Sequence, residues 1–312
     1  MSQTSRVRDR ERGAPAGFSP LRRWMALPGE AKLFVVTLAL AALLRLWPLG
    51  GLSTDYDEGV YWQSLRALAQ GHALFAQTFS SQPPAFLLSV FPIYLLFGQS
   101  LVAARLSVAL FSLAGLVGIY FAGKGIGGLW AGGIACVLLA VDPLYLIESR
   151  TLQAEVPALA FALTCVALAV AASKRQGRER LWLAAASGVA LGLGVMTKLF
   201  DVVALVPALL YLAAPIGAAI ATEGQPPRPP TRAELVDGVR ASVLPMALFA
   251  AGALLTCALV LLPFAANWGA LYEQVVRFHL AAGHAVNRGL GYNVRLIAGR
   301  IEEYPLALAA LV

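Results

Sequence analysis

Long apolar segments recur along the whole chain, near residues 31–50, 100–123, 127–147, 154–172, 181–197, 200–220 and 241–265, and an eighth opens at Tyr304. Each is close to the ~20 residues that cross a ~30 Å hydrocarbon core as a helix. With 59% hydrophobic and only 13% charged residues, the chain has too little polar surface to cover a water-soluble globule. Backbone inside a bilayer must satisfy its own hydrogen bonds, and these segments are long, rich in Leu and Ala and not strictly alternating, which suits helices and not barrel strands. The expected fold class is all-α, a polytopic transmembrane helical bundle.

The basic residues report topology. Lys and Arg total 24 against 17 Asp and Glu, a balance that would suit nucleic acid if it were spread over a surface. Instead Arg6, Arg8, Arg10, Arg12, Arg22, Arg23 and Lys32 precede the first span, and Lys174, Arg175, Arg178 and Arg180 share one short connection. By the positive-inside bias both groups are cytoplasmic, so an even number of crossings separates them. That requirement decides residues 85–97, which are apolar but only 13 long and broken by Pro92. They read as an interfacial or re-entrant piece. Residues 51–99 then form one long outer loop, Lys124 faces the cytoplasm, residues 148–155 return outside, and the basic connection at 225–232 falls inside. Residues 1–30 are a basic cytoplasmic tail, and the first segment is full length without a small-residue cleavage site, which reads as a retained anchor.

Carboxylates collect in the outer loops. In TDYDEG (residues 54–59), Asp57 and Glu58 stand just beyond the first span. After them Tyr61, Leu65 and Leu68 share one helical face while Gln63, Arg66 and Gln70 face elsewhere, and Gly71 ends the pattern. This predicts an amphipathic helix lying on the outer leaflet, its acidic start beside the membrane. Asp55 and Glu58 have the spacing of a capping box, which would leave Asp57 free. In the second outer loop Glu155 precedes Pro157 at the start of the next span, with Arg150 nearby. As structure, Glu155 complements a helix N-terminus. As chemistry, two carboxylates on one face suit a base with a charge stabiliser, or a metal bridge.

Basic residues in apolar sequence complete the pattern. Arg105 near the outer start of the second span and Lys198 at the outer end of the fifth need an anionic partner or an interfacial position. Together they are suited to a phosphate. Residues 277–293 read as an outer loop that adds Arg277, His279, His284 and Arg288. His279 and His284 are five apart, not the i, i+4 of a helical metal pair. Cys136, Cys165 and Cys257 all fall in apolar helices and read as small core residues. No zinc spacing, Walker loop or dinucleotide loop is present.

The series TDYDEGVYWQSLRALAQG, QPPAFLL, FGQSLVAARLSVAL, SRTLQAEVPALAF and GLGVMTKLF, over roughly residues 30–220, resembles the N-terminal half of the GT-C glycosyltransferases, chiefly the protein O-mannosyltransferase and lipid A aminoarabinose transferase type. The resemblance implies a GT-C bundle whose long first extracytoplasmic loop carries juxtamembrane helices. It implies transfer of a sugar from a polyprenyl-phosphate donor to an acceptor hydroxyl on a lipid, glycan or protein, outside the plasma (inner) membrane. Asp57 falls on the family's catalytic acidic position with Glu58 beside it, and Glu155 matches the acid of the second outer loop. Lys198 and Arg105 match basic positions suited to phosphate or structural contacts, and Arg150, His279 and His284 are further candidates for substrate binding. A divalent metal ion is a possible cofactor of unknown ligands.

Two departures stand out. Ser81-Gln82 precedes Pro83-Pro84 where the lipid A branch carries an acidic and a basic residue. The chain also ends at Val312, inside an apolar segment, where relatives continue, so a domain over residues 31–312 is expected to be truncated. The competing class is a lipid or sugar transporter or flippase. Coupling residues would then sit near the midplane on broken helices in two related halves, whereas the acids here lie in outer loops.

Overall fold

The computed structural model describes residues 24–25, 27–215, 231–286 and 289–303. The basic tail, most of the 225–232 connection and the segment from Tyr304 lie outside the described residues. Among the described residues the regular structure is helical, with one isolated β-bridge between Leu74 and Thr78. In chain order the helices are α1 (Gly29–Leu46), α2 (Tyr56–Ala69), α3 (Pro84–Leu96), α4 (Leu101–Val141), α5 (Pro143–Glu148), α6 (Glu155–Ser173), α7 (Gly177–Thr197), α8 (Leu205–Leu212), α9 (Arg232–Leu261), α10 (Trp268–Tyr272), α11 (Phe278–Val286) and α12 (Leu290–Glu303). Four helical stretches among the described residues, Leu101–Val141, Glu155–Ser173, Gly177–Thr197 and Arg232–Gly283, are long and apolar enough to cross a membrane.

α4 is two helical limbs folded into a hairpin. Gly127 and Gly128 leave helical geometry, Gly128 at φ +84°, a region that costs an L side chain but not glycine. Close approach of the limbs needs small residues as well. A Cβ on Gly132 would stand 2.6 Å from the Tyr120 carbonyl oxygen. The two limbs account for the spans expected at 100–123 and 127–147. α3 is 13 residues long and buries Phe86, Leu87, Val90 and Tyr94. It packs on α4, and the Ser107 hydroxyl donates to the Val90 carbonyl at 3.3 Å.

Charged groups sort to the two ends of the bundle. Phe34 of α1 stacks on Tyr120 with ring centroids 3.9 Å apart, which sets the Lys32 end beside the Lys124 end of the hairpin. Lys124, Lys174 and Arg175 line one cavity, and Arg180 donates to the Leu212 carbonyl at the far end of α8 at 2.9 Å. At the opposite end Arg150 donates to the carbonyls of Trp47 and Pro48, both at 3.3 Å, and so ties the second outer loop to the end of α1. This is the segregation that the charge pattern predicts. In the last turn of α1, at that same end, Arg45 is buried, donates to the Ala140 carbonyl at 3.2 Å and lies 5.3 Å from the Tyr145 ring centroid.

α7 and α9 cross in backbone contact. A Cβ on Gly188 would overlap the carbonyl oxygen of Phe249, and one on Gly192 would stand 2.7 Å from Thr256 Cβ. Helix backbone cannot yield as a side chain can. Gly188→Val should therefore cost ~1–3 kcal/mol by overpacking, read as a lower unfolding temperature in detergent. Cys136 and Cys165 are buried and Cys257 half-buried, all as free thiols.

Candidate functional site

The start of α2 is fixed from three directions. Asp55 caps the helix, its Oδ1 accepting the Glu58 N–H at 2.7 Å, and its Oδ2 accepts from Gln153 Nε2 at 2.9 Å. The reciprocal half of the expected capping box is absent, because the Glu58 side chain turns inward. Its carboxylate takes Arg105 Nε at 2.7 Å, Arg105 Nη2 at 2.6 Å and the Leu152 N–H at 2.7 Å. Arg105 Nη1 also donates to the carbonyls of Leu49 at 2.7 Å and Leu52 at 3.2 Å. The pair is 0% and 1% exposed for Glu58 and Arg105. A two-pronged, charge-assisted contact with further hydrogen bonds meets the requirement for burying an ion pair.

These contacts bear on two expected site residues. Glu58, expected beside Asp57 in the chemistry, and Arg105, expected to need an anionic partner and to serve phosphate or structural contacts, are both buried and paired with each other. A correction concerns α2 itself. Tyr61 and Leu65 are buried against Phe86 and the 74–75 segment, so the apolar stripe faces protein and not lipid headgroups. Gln82 Nε2 donates to the Tyr61 hydroxyl at 3.1 Å, so the polar residue before Pro83-Pro84 anchors the helix. α2 ends where Gly71 adopts φ +89°.

Beside the inward-turned Glu58, Asp57 stands exposed. Its carboxylate is exposed and has no hydrogen-bond or ion-pair partner among the described residues. Asp57 and Glu155 both act electrostatically on Tyr61 and on Glu148, which places the two outer loops' carboxylates around one neighbourhood. Lys198 Nζ pairs with Glu155 Oε1. The partners are 23% and 47% exposed, so this contact is open to exchange where the Glu58–Arg105 pair is not. Three residues on, Asp201 is buried, and its Oδ2 has no hydrogen-bond partner. A groove of about 630 Å³ runs along the flank of α2 from Asp55 and Tyr56 to Thr78 and Phe79.

Glu148 is a member of this cluster that sequence reading did not single out. Partial burial raises its pKa above the ordinary 4.5, and the charges of Glu155, Asp55 and Asp57 push the same way, against Lys198. A carboxyl whose folded pKa is raised stabilises the fold fully below 4.5 and loses that contribution as pH climbs through the raised value. Glu148→Gln should thus remove a fall in stability that begins near pH 4.5 and runs upward, and should match or exceed the parent at neutral pH. Thermal unfolding between about pH 4 and about pH 8 reads it.

The segment after α9 is helical where a loop was expected. Residues 273–277 form a π-turn between α10 and α11, and α11 and α12 occupy most of 278–303. Gln274 clamps the first outer loop, accepting from the Ser80 N–H at 3.0 Å and donating to the Phe75 carbonyl at 2.9 Å. Arg277 pairs with Glu273 at 2.6 Å, and exposed His279 meets the Val275 carbonyl through Nδ1 at 2.9 Å. His284 falls in α11 with its side chain outside the described residues, and Arg288 lies outside the described residues altogether. Among the described residues no group of three or more His, Cys, Asp or Glu is placed to hold a metal ion.

Residues 81–222 match the family described as dolichyl-phosphate-mannose-protein mannosyltransferase. The matched stretch begins after Asp57 and includes Arg105, Arg150, Glu155 and Lys198. Two crystal structures of the Archaeoglobus fulgidus oligosaccharyltransferase share the fold. The apo form aligns with a TM-score of 0.57 at 15% identity, over 92% of this chain and 36% of that one. The form with Zn and sulfate aligns with a TM-score of 0.55 at 16% identity, over 89% of this chain and 38% of that one. This chain thus spans well under half the length of that archaeal enzyme. No curated protein sequence matches it.

Proposed function

We propose that this chain is a GT-C glycosyltransferase that transfers a sugar from a polyprenyl-phosphate donor to an acceptor hydroxyl at the Asp57 end of the bundle, a reading supported by the family match over residues 81–222 and by the shared fold. The observation that carries the reading is Asp57 itself. An exposed carboxylate without a partner among the described residues sits on a helix start that a buried ion pair, a cap and an inter-loop hydrogen bond all hold. Its one structural task is the weak, exposed one of an acid in a helix's first turn, and the helix start that carries it is held in place as a reacting group's support must be.

In the proposed displacement the acceptor oxygen attacks the anomeric carbon from the face opposite the phosphate. Asp57 accepts the hydroxyl proton as the bond from carbon to oxygen forms. The bond from the anomeric carbon to the phosphate oxygen breaks, its electron pair leaves with polyprenyl phosphate, and the anomeric configuration inverts. Lys198 meets the charge that develops on the leaving phosphate by exchanging its exposed partner Glu155 for it. Glu58 and Arg105 position α2, and Arg150 holds the second outer loop on the end of α1. His279 stands on the exposed face of α11 as a candidate acceptor contact, and we keep His284 beside it in that role. The Asp57 end faces outward by the positive-inside bias, since Lys124, Lys174 and Arg175 gather at the other end.

Mass spectrometry of lipid-linked sugars and envelope glycans, with and without the gene, tests the reading. It expects one polyprenyl-phosphate sugar to accumulate and one glycan linkage to vanish. Unchanged lipid-linked sugars and glycans would count against it.

A further inference from the structure

The end of the bundle remote from Asp57 carries a cavity that sugar transfer does not use. It has a volume of about 840 Å³ and runs between the first limb of α4 and α6. Small residues make it. Gly118 of α4 packs against Leu163 and Thr164 of α6 and Gly125 against Val170, so the two helices touch closely, and beside that contact Ala114, Ala167 and Ala171 line a trough. From Ala114 to Gly125 the rise is about 16 Å at ~1.5 Å per residue, close to one leaflet of a ~30 Å core. The trough is apolar along its length and cationic at one end only, where Lys124, Lys174 and Arg175 meet.

The geometry points to a binding site for one anionic phospholipid of the leaflet opposite the Asp57 end, with an acyl chain in the trough and the phosphate among Lys124, Lys174 and Arg175. Each part of the trough matches a part of that lipid. An apolar channel one leaflet long fits an acyl chain and is too long for a bare anion. Three exposed cations at the headgroup level favour a net negative head over a zwitterionic one. Part of that charge is already spoken for, because Arg175 Nε pairs with Glu179 at 3.4 Å. The pair is 58% and 59% exposed, so it yields readily to a phosphate. Lys124 lies with its Nζ 5.9 Å from the Phe121 ring centroid, which holds the ammonium at the trough's mouth. The inference does not rest on the sugar-transfer reading.

Native mass spectrometry of the purified chain in non-ionic detergent, titrated with phosphatidylglycerol or phosphatidylcholine, tests it. One phosphatidylglycerol should bind per chain, about tenfold or more tighter than phosphatidylcholine. The triple change Lys124→Gln, Lys174→Gln, Arg175→Gln should abolish that preference, and its residues are exposed, so the fold is kept. Ala114→Phe, which fills the trough and leaves the charges, should weaken phosphatidylglycerol by a similar factor. Equal binding of the two lipids, or phosphatidylglycerol binding unmoved by either variant, would overturn the proposal. Displacement by inorganic phosphate with Ala114→Phe inert would overturn it as well, by reducing the site to an anion pocket. Binding of a polyprenyl phosphate much tighter than phosphatidylglycerol at the same residues would overturn the assignment of the occupant.

Discussion

Arg105→Leu lowers the stability of the folded chain by ~3–5 kcal/mol, the cost of leaving a buried charge without its partner. Glu58 is 0% exposed and would keep a single donor, the Leu152 N–H. The carbonyls of Leu49, Leu52 and Ser53 would also lose the guanidinium that gathers them. Lysine is no substitute, because one ammonium cannot reproduce the two-pronged contact and reach those carbonyls too. Changing Glu58 and Arg105 together to leucine should recover much of the loss, since two buried charges are then removed and none is orphaned. Lys198→Ala is the control. Its pair with Glu155 is partly exposed, and such pairs are worth ~0–1 kcal/mol. Thermal unfolding in detergent ranks the variants, and Arg105→Leu behaving like Lys198→Ala would contradict the burial argument.

The helices were legible because their causes are local. The spans expected at 100–123, 127–147, 154–172, 181–197 and 241–265 follow from runs of apolar residues, the end of α2 from Gly71, and the sorting of charges to opposite ends from Lys124, Lys174 and Arg175, whereas the 200–220 run is divided into a 3-10 turn and the short α8. Pairing across the chain was not legible. Glu58 and Arg105 are 47 residues apart, and nothing in either neighbourhood says that they meet. An apolar stripe such as Tyr61, Leu65 and Leu68 records only that one face avoids water, so it could not tell a lipid surface from a protein core. Gln153 and Gln274 look like ordinary polar residues until the fold brings the Asp55 carboxylate beside the first and the Ser80 N–H and Phe75 carbonyl beside the second. Glu148 was passed over for a similar reason, since only the fold sets it among Glu155, Asp55 and Asp57. The freedom of Asp57 was foreseen, but through a capping box that forms only by half.

On the proposed reading, Asp57→Asn should slow sugar transfer ~10²–10⁴-fold, the range for losing a positioned general base. The side chain keeps its shape and loses only its ability to accept the proton. Exposed and unpartnered among the described residues, it should leave stability within ~0.5 kcal/mol of the parent. The loss should fall on kcat with little change in KM for the donor, because the proton moves only as the new bond forms. Glu58→Gln should behave differently, lowering stability together with activity. The most direct measurement is release of polyprenyl phosphate from a polyprenyl-phosphate sugar by the purified protein and its Asp57→Asn variant, alongside donor binding by each. Retained donor binding with release slowed ~10²–10⁴-fold is the expected result. Release at the parent rate from a folded, donor-binding Asp57→Asn protein would contradict a catalytic role for Asp57.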